Sequence, residues 1–390
     1  MNAATADGWR SMRVNRYDYV AQFGDVEELI ADIRSMLLHG DYILTREVER
    51  FEHEFAASLG ARFVVGVNSG TDALVLALRT LGVGPGDEVI THANTFYATV
   101  AAIVLAGAMP VLVDADEQTY LIDAGQTAAA VTPRTRAIIP VHLYGKPTPM
   151  HGLIELGERS GFHILEDAAQ AHGAEIGGRA VGTIGAIGCF SFHPSKNLAA
   201  AGDAGAVATD DERYDRSLRI QRNLGQASQN EHVALGINSK MDAIQARILR
   251  HKLGRLAGWV KGRNEVAAIY RERLDGLPVT WQRVDDDEVH AYHLFQIRTE
   301  HRDALLAHLT SIGIDAVTRY PTPIHLQAPF GGYGWRRGQF PVAEQLTSQL
   351  LCLPIRPAMS EAEVEYVVEG VRSFFAGRLS HSTPRPLAAP

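Results

Sequence analysis

Phe63-Val64-Val65-Gly66-Val67-Asn68-Ser69-Gly70-Thr71-Asp72-Ala73-Leu74 decides the fold of this 390-residue chain. The first five residues are apolar or small without polar alternation, the pattern of a strand buried on both faces. A short polar turn follows, and residues 71–81 read as a helix stopped at Gly82. Short apolar runs recur at 88–91, 110–113, 137–141, 162–165, 187–192 and 205–208, with helical stretches such as 95–106 between them. Unalternated strands spaced by helices predict an α/β fold, a mostly parallel sheet covered on both faces. Ligands of such sheets gather at the carboxyl ends of the strands.

Upstream, Val26, Leu29, Ile30, Ile33 and Leu37 form a helical stripe, and residues 47–59 read as a second amphipathic helix stopped at Gly60. Downstream, a helix over 244–259 leads out of the large domain. A strand at 292–297 and helices at 302–311 and 361–375 predict a small α+β domain. The expected division is a tail at 1–12, a large domain at 13–255, a small domain at 256–376 and a Pro/Ser/Ala-rich tail at 377–390. The acidic run Asp285-Asp286-Asp287-Glu288 reads as a solvated turn.

A net charge of −8 with no Lys/Arg block disfavours nonspecific nucleic-acid binding. Cys189 and Cys352 sit in apolar runs and read as buried reduced thiols. Residues 1–12 lack a secretory signal, and no apolar run approaches the ~18 residues of a membrane span. The expected location is cytoplasmic, away from membranes. Sixteen scattered histidines show no ligand spacing, so no metal site is expected.

Two residues at the ends of successive apolar runs carry the chemistry. Asp167 closes Leu165-Glu166-Asp167, and Lys196 follows Phe190-Ser191-Phe192-His193-Pro194-Ser195. An amine able to form a Schiff base and a carboxylate able to keep a ring nitrogen protonated together suit pyridoxal phosphate. Gly70 permits close backbone approach where a helix opens, and Thr71 and Ser191 offer hydroxyls, which suits the cofactor's phosphate. A plain helix cap by Ser69 or Thr71 is the alternative for that turn. Gln170, expected one helical turn beyond Asp167, is placed to reach the ring's phenolic oxygen, and Phe96 to stack on the ring.

These residues lie in segments that resemble the DegT/DnrJ/EryC1/StrS family of sugar aminotransferases. The likeness runs from about Tyr42 to Phe375. It includes Ser69-Gly70-Thr71-Asp72-Ala73-Leu74, Thr95-Phe96-Tyr97-Ala98-Thr99, Val141-His142-Leu143-Tyr144-Gly145, Glu166-Asp167-Ala168-Ala169-Gln170-Ala171-His172-Gly173 and Phe190 to Leu198. The resemblance implies a fold-type-I, aspartate-aminotransferase-like architecture with a mixed seven-stranded sheet and a small C-terminal domain. It also implies a homodimer with active sites shared across the interface. By matching positions, Lys196 would be the Schiff-base lysine, Asp167 the partner of the ring nitrogen, and Gln170 and Phe96 the ring contacts. Gly70, Thr71 and Ser191 would hold the phosphate, with Asn238 reaching it from the neighbouring subunit.

The subgroup most similar acts at C3 of nucleotide-linked keto-hexoses. Tyr320 and His325, in Tyr320-Pro321-Thr322-Pro323-Ile324-His325, match its substrate-side segment. Two positions depart from that pattern: Arg319 stands where histidine is frequent, and Ala204 where glycine is. The resemblance therefore implies an aminotransferase cycling between pyridoxal and pyridoxamine phosphate. Glutamate or glutamine would be the donor and a dTDP-3-keto-6-deoxyhexose the acceptor. A 4-keto sugar, a keto-cyclitol and a non-catalytic cofactor-binding regulator are the alternatives.

Overall fold

Seven short strands form the central sheet of the computed structural model, which describes residues 12–379. They are β1 Phe63–Val67, β2 Glu88–His92, β3 Met109–Val113, β4 Thr135–Ile138, β5 His163–Asp167, β6 Ile187–Ser191 and β7 Gly205–Thr209. Their order is β1-β7-β6-β5-β4-β2-β3, and β7 alone runs against the others. The mostly parallel α/β sheet expected from the apolar runs is what forms. The expected tails fall on residues 1–11 and 380–390, outside the described residues, apart from Met12 and a helix end considered below.

Alternate residues explain why both faces of the sheet are apolar. Val65, Val67, Cys189 and Val207 face the helix Gly70–Thr80, packing with Leu74 and Leu78. Val64, Phe190, Ala206 and Ala208 face the helix Arg46–Leu59. There Phe51 meets Phe192 and Phe55 meets Phe190, edge to face, at 5.3 and 5.1 Å. Each fully buried ring contributes about 2–3 kcal/mol by area. Gly60, at φ 72°, ends this helix in the left-handed conformation that glycine adopts without strain.

The second layer is a three-stranded antiparallel sheet of Thr280–Trp281, Phe295–Arg298 and Leu350–Leu353. Helices Leu256–Leu274, Arg302–Ser311 and Glu361–Leu379 cover it, burying Tyr270, Leu305, Val367 and Phe375 with Phe295 and Leu351.

Three expectations are corrected here. The single helix over 244–259 is two, Ala243–Leu253 and Leu256–Leu274, because the chain turns at Gly254 toward the small sheet. The closing helix runs to Leu379, past 376, since no proline interrupts it before Pro384. In the acidic run, Asp286 and Asp287 are exposed, but the Glu288 side chain is 1% exposed and pairs with the fully buried Lys146. A buried ammonium needs a carboxylate, and this fold draws it from the turn.

Candidate functional site

Strand pairing assembles the site. Val67 and Ser191 both lie opposite Gly205, and Asp167 lies beside Cys189. The ends of β1, β5 and β6 and the start of β7 thus share one edge of the sheet. The helix Gly70–Thr80 opens there, capped by Ser69, whose hydroxyl accepts the Asp72 N–H at 3.1 Å. The Ser69 cap leaves room for an anion, because it satisfies one amide and leaves others at the helix end. A Cβ on Gly70 would sit 2.6 Å from the Ser191 Cβ. One on Gly205 would overlap the Ser69 carbonyl. Thr71 and Ser191 are half-buried beside this cradle. The Gly205→Ala protein is expected to lose about 1–3 kcal/mol of stability in chemical denaturation, together with cofactor affinity. Unchanged values would show that the turn yields freely.

Asp167 is 5% exposed at the end of β5. Its Oδ2 accepts the Thr99 hydroxyl at 2.8 Å and its Oδ1 the Ala169 N–H at 3.2 Å. Burial pushes its carboxyl up, against those two bonds and the nearby Lys196 charge. The strand end is held firmly. Glu166, fully buried, accepts the N–H groups of Gly182, Ile184 and Gly185 at 2.6–2.7 Å and His142 Nε2 at 3.0 Å. His142 Nδ1 accepts the Thr148 N–H at 2.9 Å, so its ring proton is on Nε2. Burial raises Glu166, but these donors outweigh it and hold the carboxyl below its usual range.

No helix follows Asp167, contrary to expectation. Residues 168–174 form tight turns, with Ala171 N–H to Ala168 O and Ala174 N–H to Ala171 O, both 2.9 Å. Gln170 still lies on the site side. Its Oε1 accepts the Tyr144 N–H at 2.7 Å, and its Nε2 donates to the Tyr320 hydroxyl at 3.0 Å. Tyr144 takes φ 65°, a left-handed backbone that points this amide at Gln170.

Lys196 is half-buried. Burial lowers its ammonium to about 8; Asp167 opposes that shift and the Arg319 charge adds to it. His172 and His293 also feel Lys196, and burial keeps both rings neutral. Asn197, next in the chain, donates to the Ala291 carbonyl at 2.7 Å, tying the lysine segment to the small-sheet layer. On the facing wall, Phe96 is 43% exposed with its ring 5.1 Å from that of Tyr320.

Sequence reasoning missed Thr99, Tyr144, Asn197 and His293. Thr99 stands one helical turn after Phe96 and was legible by spacing. The rest depend on contacts distant in sequence. His325 departs from the expected substrate-side position: its side chain is fully buried, with Nε2 on Glu344 at 3.0 Å and the ring edge-on to Phe340. Glu344, in the helix Pro341–Gln349, also accepts the Gly338 N–H at 2.6 Å, so His325 pins the loop before that helix. Asn238 is exposed on the outer side of a segment whose Ser239 hydroxyl accepts the Asn68 N–H at 3.2 Å and donates to Asp72 at 2.7 Å.

A separate hollow of about 640 Å³ lies between helices Glu27–His39, Arg46–Leu59 and Ala243–Leu253. Its Arg247 and Arg250 are already paired, with Asp32, Glu47 and Glu54, each at 2.6 Å. At the strand ends, a tight glycine cradle, a half-buried amine of lowered pKa and a buried carboxylate fit a phosphate-bearing aldehyde cofactor.

The family model for DegT/DnrJ/EryC1/StrS aminotransferases matches residues 24–372. The chain belongs to that family. Its relatives include transaminases named for nucleotide sugars. It is 44% identical to the dTDP-3-amino-3,4,6-trideoxy-alpha-D-glucose transaminase of Streptomyces venezuelae, over 93% of this chain and 96% of that protein. It is 42% identical to the UDP-N-acetyl-3-dehydro-alpha-D-glucosamine 3-aminotransferase of Acidithiobacillus ferrooxidans, over 90% and 95%. Among solved structures, Streptomyces venezuelae DesV in complex with a ketimine intermediate matches with a TM-score of 0.91 at 44% identity, over 93% of this chain and 99% of that one. This DegT/DnrJ/EryC1/StrS chain is thus a sugar aminotransferase by family, on the fold those enzymes share.

Proposed function

We propose that this pyridoxal-phosphate-dependent aminotransferase moves the amino group of glutamate or glutamine to C3 of a dTDP-linked 3-keto-6-deoxyhexose, in the making of a deoxyamino sugar. The reading rests on the buried Asp167 at the end of β5, near enough to Lys196 for each charge to act on the other, beside the Gly70–Ser191 cradle, in a chain 44% identical to a dTDP-3-amino-sugar transaminase. When bound, the cofactor supplies an electron sink that carries the amino group from donor to acceptor.

The chain's own residues do the rest. Gly70, Thr71 and Ser191 hold the phosphate at the helix end. The Asp167 carboxylate, oriented by Thr99, opposes the ring nitrogen and keeps its proton there. Gln170, fixed by Tyr144 and Tyr320, directs its amide at the phenolic oxygen. With a value near 8, the Lys196 Nζ is neutral in a useful fraction of molecules at pH 7, able to take a proton from the donor's α-carbon. Arginine there would stay charged. Phe96 and Tyr320, with rings 5.1 Å apart, would wall the ring face.

Active sites shared across a homodimer accord with Asn238 lying exposed near exposed Leu224 and Leu235. Cys189 and Cys352 are both buried and free, in keeping with a cytoplasmic enzyme. Among the described residues no helix is long and apolar enough to cross a membrane. A UDP-linked 3-keto sugar is the second reading, favoured by the 42% identity to a UDP-sugar 3-aminotransferase.

Single-turnover mixing of the pyridoxamine form with 3-keto and 4-keto dTDP and UDP sugars, and with a keto-cyclitol, separates these readings. The dTDP-3-keto-6-deoxyhexose is expected to react at least tenfold faster than the others. Equal or faster reaction of a 4-keto sugar would refute the C3 assignment.

A further inference from the structure

We propose that Arg319 recognises the α-carboxylate of the amino donor, a role that rests on the aminotransferase reading and deepens it. Arg319 is half-buried, and among the described residues its guanidinium makes no ion pair and no hydrogen bond. Several other arginines are anchored within the molecule. Arg219, Arg247 and Arg250 each hold carboxylates, and the buried Arg263 donates to the carbonyls of Tyr292 and Ile355. A half-buried cation without an internal anion is free to pair with one that arrives.

Its position is fixed from the backbone. The Arg319 carbonyl accepts the Tyr144 hydroxyl at 2.9 Å and the Gln296 amide at 3.1 Å. The next residue, Tyr320, touches Gln170 and Phe96, so Arg319 stands at the cleft wall beside the cofactor contacts. Its charge reaches Lys196, His193 and His293, opposing a proton on each.

A guanidinium grips a carboxylate through two parallel N–H bonds. In an amino acid the α-carboxylate is bonded to the carbon that bears the reacting amine, so a cation near Lys196 is near that carboxylate too. In a 3-keto nucleotide sugar the diphosphate hangs from C1, with part of the sugar ring between it and the reacting carbon. The geometry therefore favours the donor's carboxylate over the acceptor's diphosphate.

The test compares holoenzyme Arg319→Gln and Arg319→Lys with wild type in the donor half-reaction. L-glutamate and 4-aminobutyrate, which keeps the distal carboxylate and lacks the α-carboxylate, are followed by loss of the visible cofactor band. Binding of dTDP is measured by calorimetry. Arg319→Gln is expected to weaken glutamate binding roughly 10- to 100-fold, the worth of a charge-assisted pair. It is expected to leave 4-aminobutyrate near its wild-type behaviour and dTDP within twofold, and Arg319→Lys is expected to recover part of the loss. An unchanged preference for glutamate over 4-aminobutyrate, or a loss confined to dTDP, overturns the proposal. A wild type that converts no amino acid overturns the aminotransferase reading itself, a different failure from a silent variant.

Discussion

Lys196→Ala is expected to abolish the visible absorption of cofactor-loaded protein and to lower turnover by at least ~10⁴-fold, because no other amine replaces both its covalent and its proton-carrying roles. Borohydride should leave a reduced adduct on the wild-type peptide containing Lys196 and none on the variant. A coloured, reducible Lys196→Ala protein would place the linkage elsewhere. Mixed with inactive Asn238→Ala subunits, Lys196→Ala should regain activity, since each heterodimer then holds one intact site. No recovery in exchanged heterodimers would remove the shared-site reading.

The same lysine has a signature in the apoprotein. Its folded value, about 8, is below the ordinary 10.5, so the unfolded chain binds the proton more tightly. Stability therefore rises with pH between those values, and below about pH 8 the fold carries the full cost of the buried ammonium. Lys196→Met keeps the aliphatic stem and removes that cost. Its apoprotein is expected to melt about 1–3 °C higher at pH 7, with the gain fading as pH climbs past 8 toward 10.5. An equal gain at pH 7 and pH 10.5 would show that charge burial is not the cause.

Asp167→Asn is expected to lower kcat roughly 10³-fold with the cofactor still bound, because an amide cannot hold the ring nitrogen's proton by charge. A second readout separates this from misfolding. The Asp167 carboxylate opposes the burial that lowers Lys196, so its loss should move the lysine below 8. The pH profile of cofactor recombination with the variant apoprotein should shift to lower pH. A variant within threefold of wild-type turnover, with an unmoved profile, would end the assignment.

Much of this was legible before any coordinates. Strands 63–67, 187–191 and 205–209 show in the chain as apolar runs, and the helix 302–311 by its periodicity, because those patterns depend on residues two to four positions apart. Lys196, Asp167, Gly70 and Ser191 could be proposed from the chain because chemistry restricts the residue types that serve an imine, a ring nitrogen and a phosphate. Gln170 meets Tyr144 and Tyr320 from a turn, where a helix was expected.

Local spacing thus suffices for the α/β layers, and residue chemistry for proposing the amine–carboxylate pair and the glycine turn as a cofactor site. Long-range packing alone settles the remainder. Glu288 is drawn inward by Lys146, 142 positions away, and His325 is enclosed by Glu344 and Phe340. Asn197 is tied to Ala291, and Arg319 is left without an anion beside Lys196. Burial and electrostatic partnership are sums over neighbours that folding brings together, and no window along the chain contains those neighbours.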